Sequence, residues 1–186
     1  MTVVDWQAER TDAVARRILD TAEELYAEHG VDGVTMRALA SAVGCSRATL
    51  YRYFPSRESV QAAFIERSAR RLAKQIDAAP TTGDPGDRLI EAVTTALRLV
   101  RENPAFANWF RADGMATAAQ LGAVSPAVES VARGFLAGPE GGDDPAVADR
   151  ARWLVRVMLS LLSTPGSSPE DEVRMLREFV VPVVLH

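Results

Sequence analysis

Residues 33–60 read GVTMRALASAVGCSRATLYRYFPSRESV, and the spacing within them decides how the chain folds. Thr35 is a capping residue, and Met36, Leu39, Ala40 and Val43 behind it share one face of a short helix. Gly44 stops that helix, because the position after a last turn often takes the left-handed backbone that glycine accepts without steric cost. Only Cys45 intervenes before Ser46, a second cap, which opens another helix from about Arg47 to Tyr53. Two short helices joined by so tight a turn must cross steeply, which is helix-turn-helix geometry. Pro55 closes the second of them, and Ser56 caps a long helix from about Arg57 to Ala78.

On a helical wheel Leu50 and Phe54 form the buried edge of the 47–53 helix, leaving Ala48, Thr49, Tyr51 and Arg52 to project elsewhere and Arg47 in the exposed first turn. A short helix with this face can enter a major groove, where arginine pairs bidentately with guanine and a threonine or alanine methyl touches thymine. Tyr51 and Tyr53 can offer hydroxyls to phosphates or cover the small core between the helices; both readings stand. Thr35 with Arg37, Ser46, and Arg57 beside Ser56 sit at helix starts, where free N–H groups and the helix dipole favour an anion. Cys45 reads as a small hydrophobe.

Charge is distributed to match. The net charge of −4 conceals a basic block: residues 33–76 hold eight Lys and Arg against two Asp and Glu, while residues 1–32 hold three against eight and 77–186 ten against fifteen. A compact basic block in an acidic chain is how a modest nucleic-acid module looks. One cysteine excludes an internal disulfide framework. No apolar run reaches the length of a membrane span and no signal-like start is present, so a cytoplasmic protein without membrane attachment is expected.

Upstream, Ala15, Ile18, Leu19, Ala22, Leu25 and Tyr26 keep helical period, with Thr11 as the expected cap and Gly30 as the stop. Residues 1–10 show no period and read as a loose arm. Downstream, APTTGDPGD marks a boundary, followed by helices expected at about 87–102, 104–113, 126–137, 145–163 and 170–185. FVVPVVL near the end tempts a strand, but the helical period leading into it prevails. The chain is read as all-α, divided into an arm (1–10), a helix-turn-helix domain (11–56), a connecting helix (57–78) and a larger helical domain (79–186).

The stretch from Gly33 to Val60 resembles the DNA-binding domain of the tetracycline-repressor (TetR) family of bacterial transcription regulators. The resemblance rests on Gly33, Thr35, Ala40, Gly44, Ser46, Thr49-Leu50-Tyr51, Tyr53-Phe54 and Arg57, and covers roughly residues 12–70; Cys45 departs from the valine common there. It implies a regulator, a repressor more than an activator, binding a near-palindromic double-stranded operator as a homodimer, with Thr35, Arg37, Ser46, Arg47, Ala48, Thr49, Tyr51, Arg52, Tyr53 and Arg57 at the DNA. It also implies a C-terminal domain that binds an effector and dimerises through the last two helices. Those helices are apolar on more than one side, Trp153, Leu154, Val157, Met158, Leu161 and Leu162 on one and Val173, Leu176, Phe179, Val180, Val183 and Val184 on the other. For a small apolar effector the candidates are Phe106, Trp109, Phe110 and Met115, with Trp153, and Asn108 or Arg111 as polar anchors; these aromatics serve equally as plain core.

Two rival classes are weaker. Only His29 and His186 are histidines, and no HExxH, GxSxG, P-loop or paired Cys/His spacing occurs, so no catalytic residue, cofactor or metal ligand is expected. An architectural nucleic-acid binder would not confine its basic residues to one block.

Overall fold

A computed structural model of the chain describes residues 6–78, 83–107, 109–110, 125–137 and 144–185. Every regular element among them is helical: α1 (Trp6–Gly33), α2 (Met36–Val43), α3 (Arg47–Tyr53), α4 (Arg57–Asp77), α5 (Pro85–Glu102), α6 (Pro104–Ala107), α7 (Pro126–Ala137), α8 (Pro145–Ser163) and α9 (Pro169–Met175). A π turn (Leu176–Val180) and α10 (Val181–Val184) continue α9. The first helix starts at Trp6, so Thr11 lies inside it and residues 6–10 are helical. It breaks where expected, at Gly30, whose φ of 72° lies outside helical space.

The helix-turn-helix is built as the caps dictate. The Thr35 side chain accepts from the Ala38 N–H, that of Ser46 from the Thr49 N–H, and Ser56 and Ser59 bond reciprocally at the start of α4. Gly44 sits at φ 75° and its N–H closes onto the Ala40 and Ser41 carbonyls; open space surrounds its Cα, so the left-handed backbone alone asks for glycine there. Leu50 is fully buried against Leu39, Ala40 and Val43 and anchors α3. Complete burial of such a side chain contributes roughly 1.5–3 kcal/mol.

Two apolar clusters result. The first runs from α1 through α4 and takes in Ala105 and Trp109 at α6, so this core extends beyond the helix-turn-helix itself. Tyr26, Phe64, Phe106 and Trp109 pack ring on ring there, three pairs edge to face and the pairs of Phe64 with Phe106 and Trp109 tilted, with centroids 4.9–6.0 Å apart. The second cluster draws Leu89, Val93 and Leu97 of α5 against Leu154 and Leu161 of α8 and Leu176, Val180 and Val184 of the last helical run. The FVVPVVL stretch is helical up to Val184, and the π turn shows how: Pro182 has no N–H, and in a regular α-turn its ring would meet the Glu178 carbonyl. The widened turn, closed by Val181 N–H to Leu176, relieves that clash.

Candidate nucleic-acid interface and adjoining cavity

Helix α3 presents its solvent face as the sequence implies. Arg47, Ala48, Tyr51 and Arg52 are exposed, Thr49 half-buried, and Tyr53 leans on the core. The Arg47 guanidinium lies 5.9 Å from the Tyr51 ring centre and that of Arg52 5.3 Å from the Tyr53 ring, so each arginine is backed by an aromatic face. The Ser46 and Thr49 hydroxyls are 2.9 Å apart, so each is engaged by the other at the start of α3. Thr35 and Arg37 are exposed at the start of α2. Arg57, at the start of α4, is partly engaged: its Nη1 donates to the Asp32 carbonyl at 3.4 Å. The Ser56 hydroxyl accepts from the Ser59 N–H as the cap of α4.

The basic block is smaller at this surface than its charge count implies. Arg67 turns back onto Asp20 and Glu23 of α1 at 2.6 and 2.7 Å, Arg71 onto Glu23 at 3.1 Å, and Arg70 onto Glu66 at 3.1 Å. Arg57 also lies 3.9 Å from the Glu58 carboxylate and 4.0 Å from that of Asp32, so four of the eight cations of residues 33–76 have carboxylate partners within the chain.

A cavity of about 360 Å³ lies between α4, α5, α7 and α8, with α6 at one end. Phe106, Trp109 and Phe110 line it, as expected, and Trp109 is also part of the first core. The same side chains thus line the cavity and pack in or against the first core. Trp153 does not line it; 46% exposed, it faces away from the cavity side of α8, where Leu154, Val155 and Met158 stand. Asn108, Arg111 and Met115 lie outside the described residues.

Residues 18–64 match the family model described as bacterial regulatory proteins, tetR family. An HTH-type transcriptional regulator of Mycobacterium tuberculosis, itself uncharacterized, is 43% identical over 187 residues, covering 99% of this chain and 92% of the relative. The chain belongs to the TetR family of bacterial transcription regulators. Its fold agrees with that of the TetR family repressor AlkX from a Dietzia species (TM-score 0.69, 21% identity, 91% of this chain and 94% of that one). It agrees likewise with RolR in complex with resorcinol (TM-score 0.65, 19% identity, 95% and 94%). As a TetR-family member the protein is a DNA-binding transcription regulator and not an enzyme. No helix among the described residues is long and apolar enough to cross a membrane, and no group of metal-ligating side chains occurs among them.

Two polar clusters of this TetR-family chain escape a reading by motif. Glu23 is held by Arg67 and Arg71 of α4, and the Asn103 amide, between α5 and α6, reaches its other oxygen at 3.4 Å. Glu172 is buried and takes both Arg101 nitrogens, at 2.6 and 3.0 Å, and the Gly166 N–H at 3.0 Å. A Cβ at Gly166 would stand 2.7 Å from the Glu172 side chain, so that approach requires glycine. Partners 44 to 80 residues apart leave no local signal in a sequence.

Proposed function

We propose that the protein is an effector-responsive repressor that binds a near-palindromic operator as a homodimer. The observation that carries this reading is where its exposed large hydrophobic side chains lie. Among the described residues they are Tyr51, on the solvent face of α3, and Trp153, Met175, Phe179 and Val183 on the last helices. One surface faces DNA; the other is suited to a second copy of the chain. Met175, Phe179 and Val183 recur every fourth residue along the α9–α10 run, and Trp153 is exposed on α8. A two-fold dimer built there would present two α3 helices for half-sites about 34–36 Å apart.

In this reading Arg47, Ala48 and Thr49 meet base edges, with Arg52 beside them, while the Tyr51 and Tyr53 hydroxyls reach phosphates. Thr35, Arg37, Ser46 and Arg57 contact phosphates. Residues 11–56 form the reading unit, 57–78 the connecting helix and 79–186 the effector and dimer domain. Phe106, Trp109 and Phe110 line the effector site, and Trp153 belongs with the dimer surface instead. The effector is a small, largely apolar molecule, since the cavity wall is mostly aliphatic and aromatic; the capture of resorcinol by RolR on the same fold supports a ligand in such a place. A cytoplasmic location follows from the DNA target.

Selection of duplexes from a random DNA pool by the purified protein at physiological salt tests the proposal. A recovered near-palindrome is expected; enrichment of a single half-site or of no sequence at all overturns it.

A further inference from the structure

The cavity is almost wholly apolar, and two of its few polar groups, Arg71 and Asn103, meet at one end through their shared partner Glu23. Among the described residues lining it, the polar side chains other than Trp109 are Ser68, Arg71, Gln75 and Asn103, and Arg71 is the one that carries charge. This end is rich in donors. Arg71 can only donate, and the Asn103 oxygen is already taken by the Ala105 N–H at 2.9 Å, which turns the amide NH₂ outward. The Ser68 hydroxyl and the Trp109 indole N–H are buried without a partner among the described residues. A hydrophobic trough that ends in a guanidinium and further donors suits a molecule with an apolar body and an anionic, acceptor-only head.

The same end holds the first helix of the reading domain. Arg71 donates to Glu23 at 3.1 Å and Asn103 to the other Glu23 oxygen at 3.4 Å. Arg67 and Arg71 against Asp20 and Glu23 make a neutral cluster. A further carboxylate at Arg71 leaves it one negative charge in excess, and the ligand then repels Glu23 while competing for its donors.

From this geometry we infer that the effector is an aliphatic monocarboxylate, whose head group takes Arg71 and Asn103 from Glu23 and so loosens α1 from the cavity wall. The inference rests on the reading of the cavity as the effector site and adds the ligand's chemistry and the contact through which it acts. By linkage, whatever the acid does to operator affinity the operator does in the same ratio to the acid.

Calorimetric titration of the full-length protein with decanoate and with decanol, which share a chain and differ in charge, provides the test. Wild type should bind decanoate about tenfold more tightly than decanol, the scale of one charge-assisted hydrogen bond. Arg71→Gln should remove that preference, bringing decanoate down to the affinity of decanol, and Glu23→Gln, which removes the competing carboxylate, should raise decanoate affinity several-fold. Ala92→Phe, in the cavity wall, should block both ligands. Equal binding of acid and alcohol, both blocked by Ala92→Phe, would overturn the carboxylate inference while keeping the cavity as the effector site. No binding of either, or binding indifferent to Ala92→Phe, would overturn the cavity reading and the inference with it.

Discussion

Arg47 and Arg57 carry the same charge but stand in different surroundings, and this separates what each does at DNA. Arg47 lies in the exposed first turn of α3 with its guanidinium stacked near Tyr51, a posture that directs a planar fork toward base edges. Arg57 stands at the start of α4, steadied by the Asp32 carbonyl, where the proposed reading places phosphates. Arg47→Ala should therefore reduce the preference for operator over random duplex by about 1–3 kcal/mol. Arg57→Ala should weaken both duplexes alike and lower the slope of log affinity against log salt by about 1. Competition binding across a salt series measures both quantities, and equal losses on both duplexes for the two variants would contradict the assignment. Besides the phosphate contact proposed for it, Ser46 caps α3. Ser46→Ala removes the α3 cap, at about 1 kcal/mol, and frees the Thr49 hydroxyl from its 2.9 Å contact. Thermal unfolding should register the first effect and operator selectivity the second.

Between elements, the Arg101–Glu172 pair holds three helices at once. Arg101 reaches from the end of α5 to Glu172 at the start of α9 and also donates to the Leu161 carbonyl of α8 at 3.0 Å. The Arg101 hydrogen bonds hold the Glu172 carboxyl below the usual glutamate value of 4.5 despite its burial. With the folded value below the unfolded one, the pair stabilises the protein fully above about pH 4.5 and is lost as the pH falls through the folded value. Urea midpoints should accordingly show the gap between wild type and Glu172→Gln widest at neutral pH and closing in acid. Arg101→Met, which strands the buried carboxylate, should cost about 2–3 kcal/mol at neutral pH. That is less than the roughly 3–5 of a fully buried pair, because the Arg101 side chain stays 36% exposed. This pair also marks the limit of what the sequence discloses. The caps Thr35, Ser46 and Ser56 and the Gly44 stop are legible because each bonds within four residues, and they locate α2, α3 and the start of α4. Arg101 and Glu172 are 71 residues apart, and Arg67 finds Glu23 across 44, so neither pair has a spacing to recognise. The charge count of residues 33–76 was blind to that second pairing, which is why it overstated the cations available to DNA.

At the scale of the whole molecule the question is what covers the last helices. Phe179 is 63% exposed, and with Met175 and Val183 it forms the outward edge of a run whose inward edge, Leu176, Val180 and Val184, fills the second core. The periodicity of this run disclosed two apolar sides but not that Trp153 of α8 would be exposed as well; that depends on how α8 turns against α5, which no local spacing specifies. An apolar edge of this kind invites association, and a stable dimer requires about 1,200–2,000 Å² of total buried surface. Phe179→Glu places a charge at its centre without touching the core. The variant should sediment as a monomer with helix content and unfolding midpoint near those of wild type. Its affinity for a full near-palindrome should fall by about 10²–10⁴, the gain that two linked half-sites ordinarily supply. On a duplex bearing one half-site the variant and the wild type should bind equally, because Arg47, Thr49 and Tyr51 are untouched. That equality separates loss of pairing from damage to the reading helix: a variant that remains dimeric overturns the interface, and one that fails on the half-site has lost more than its partner.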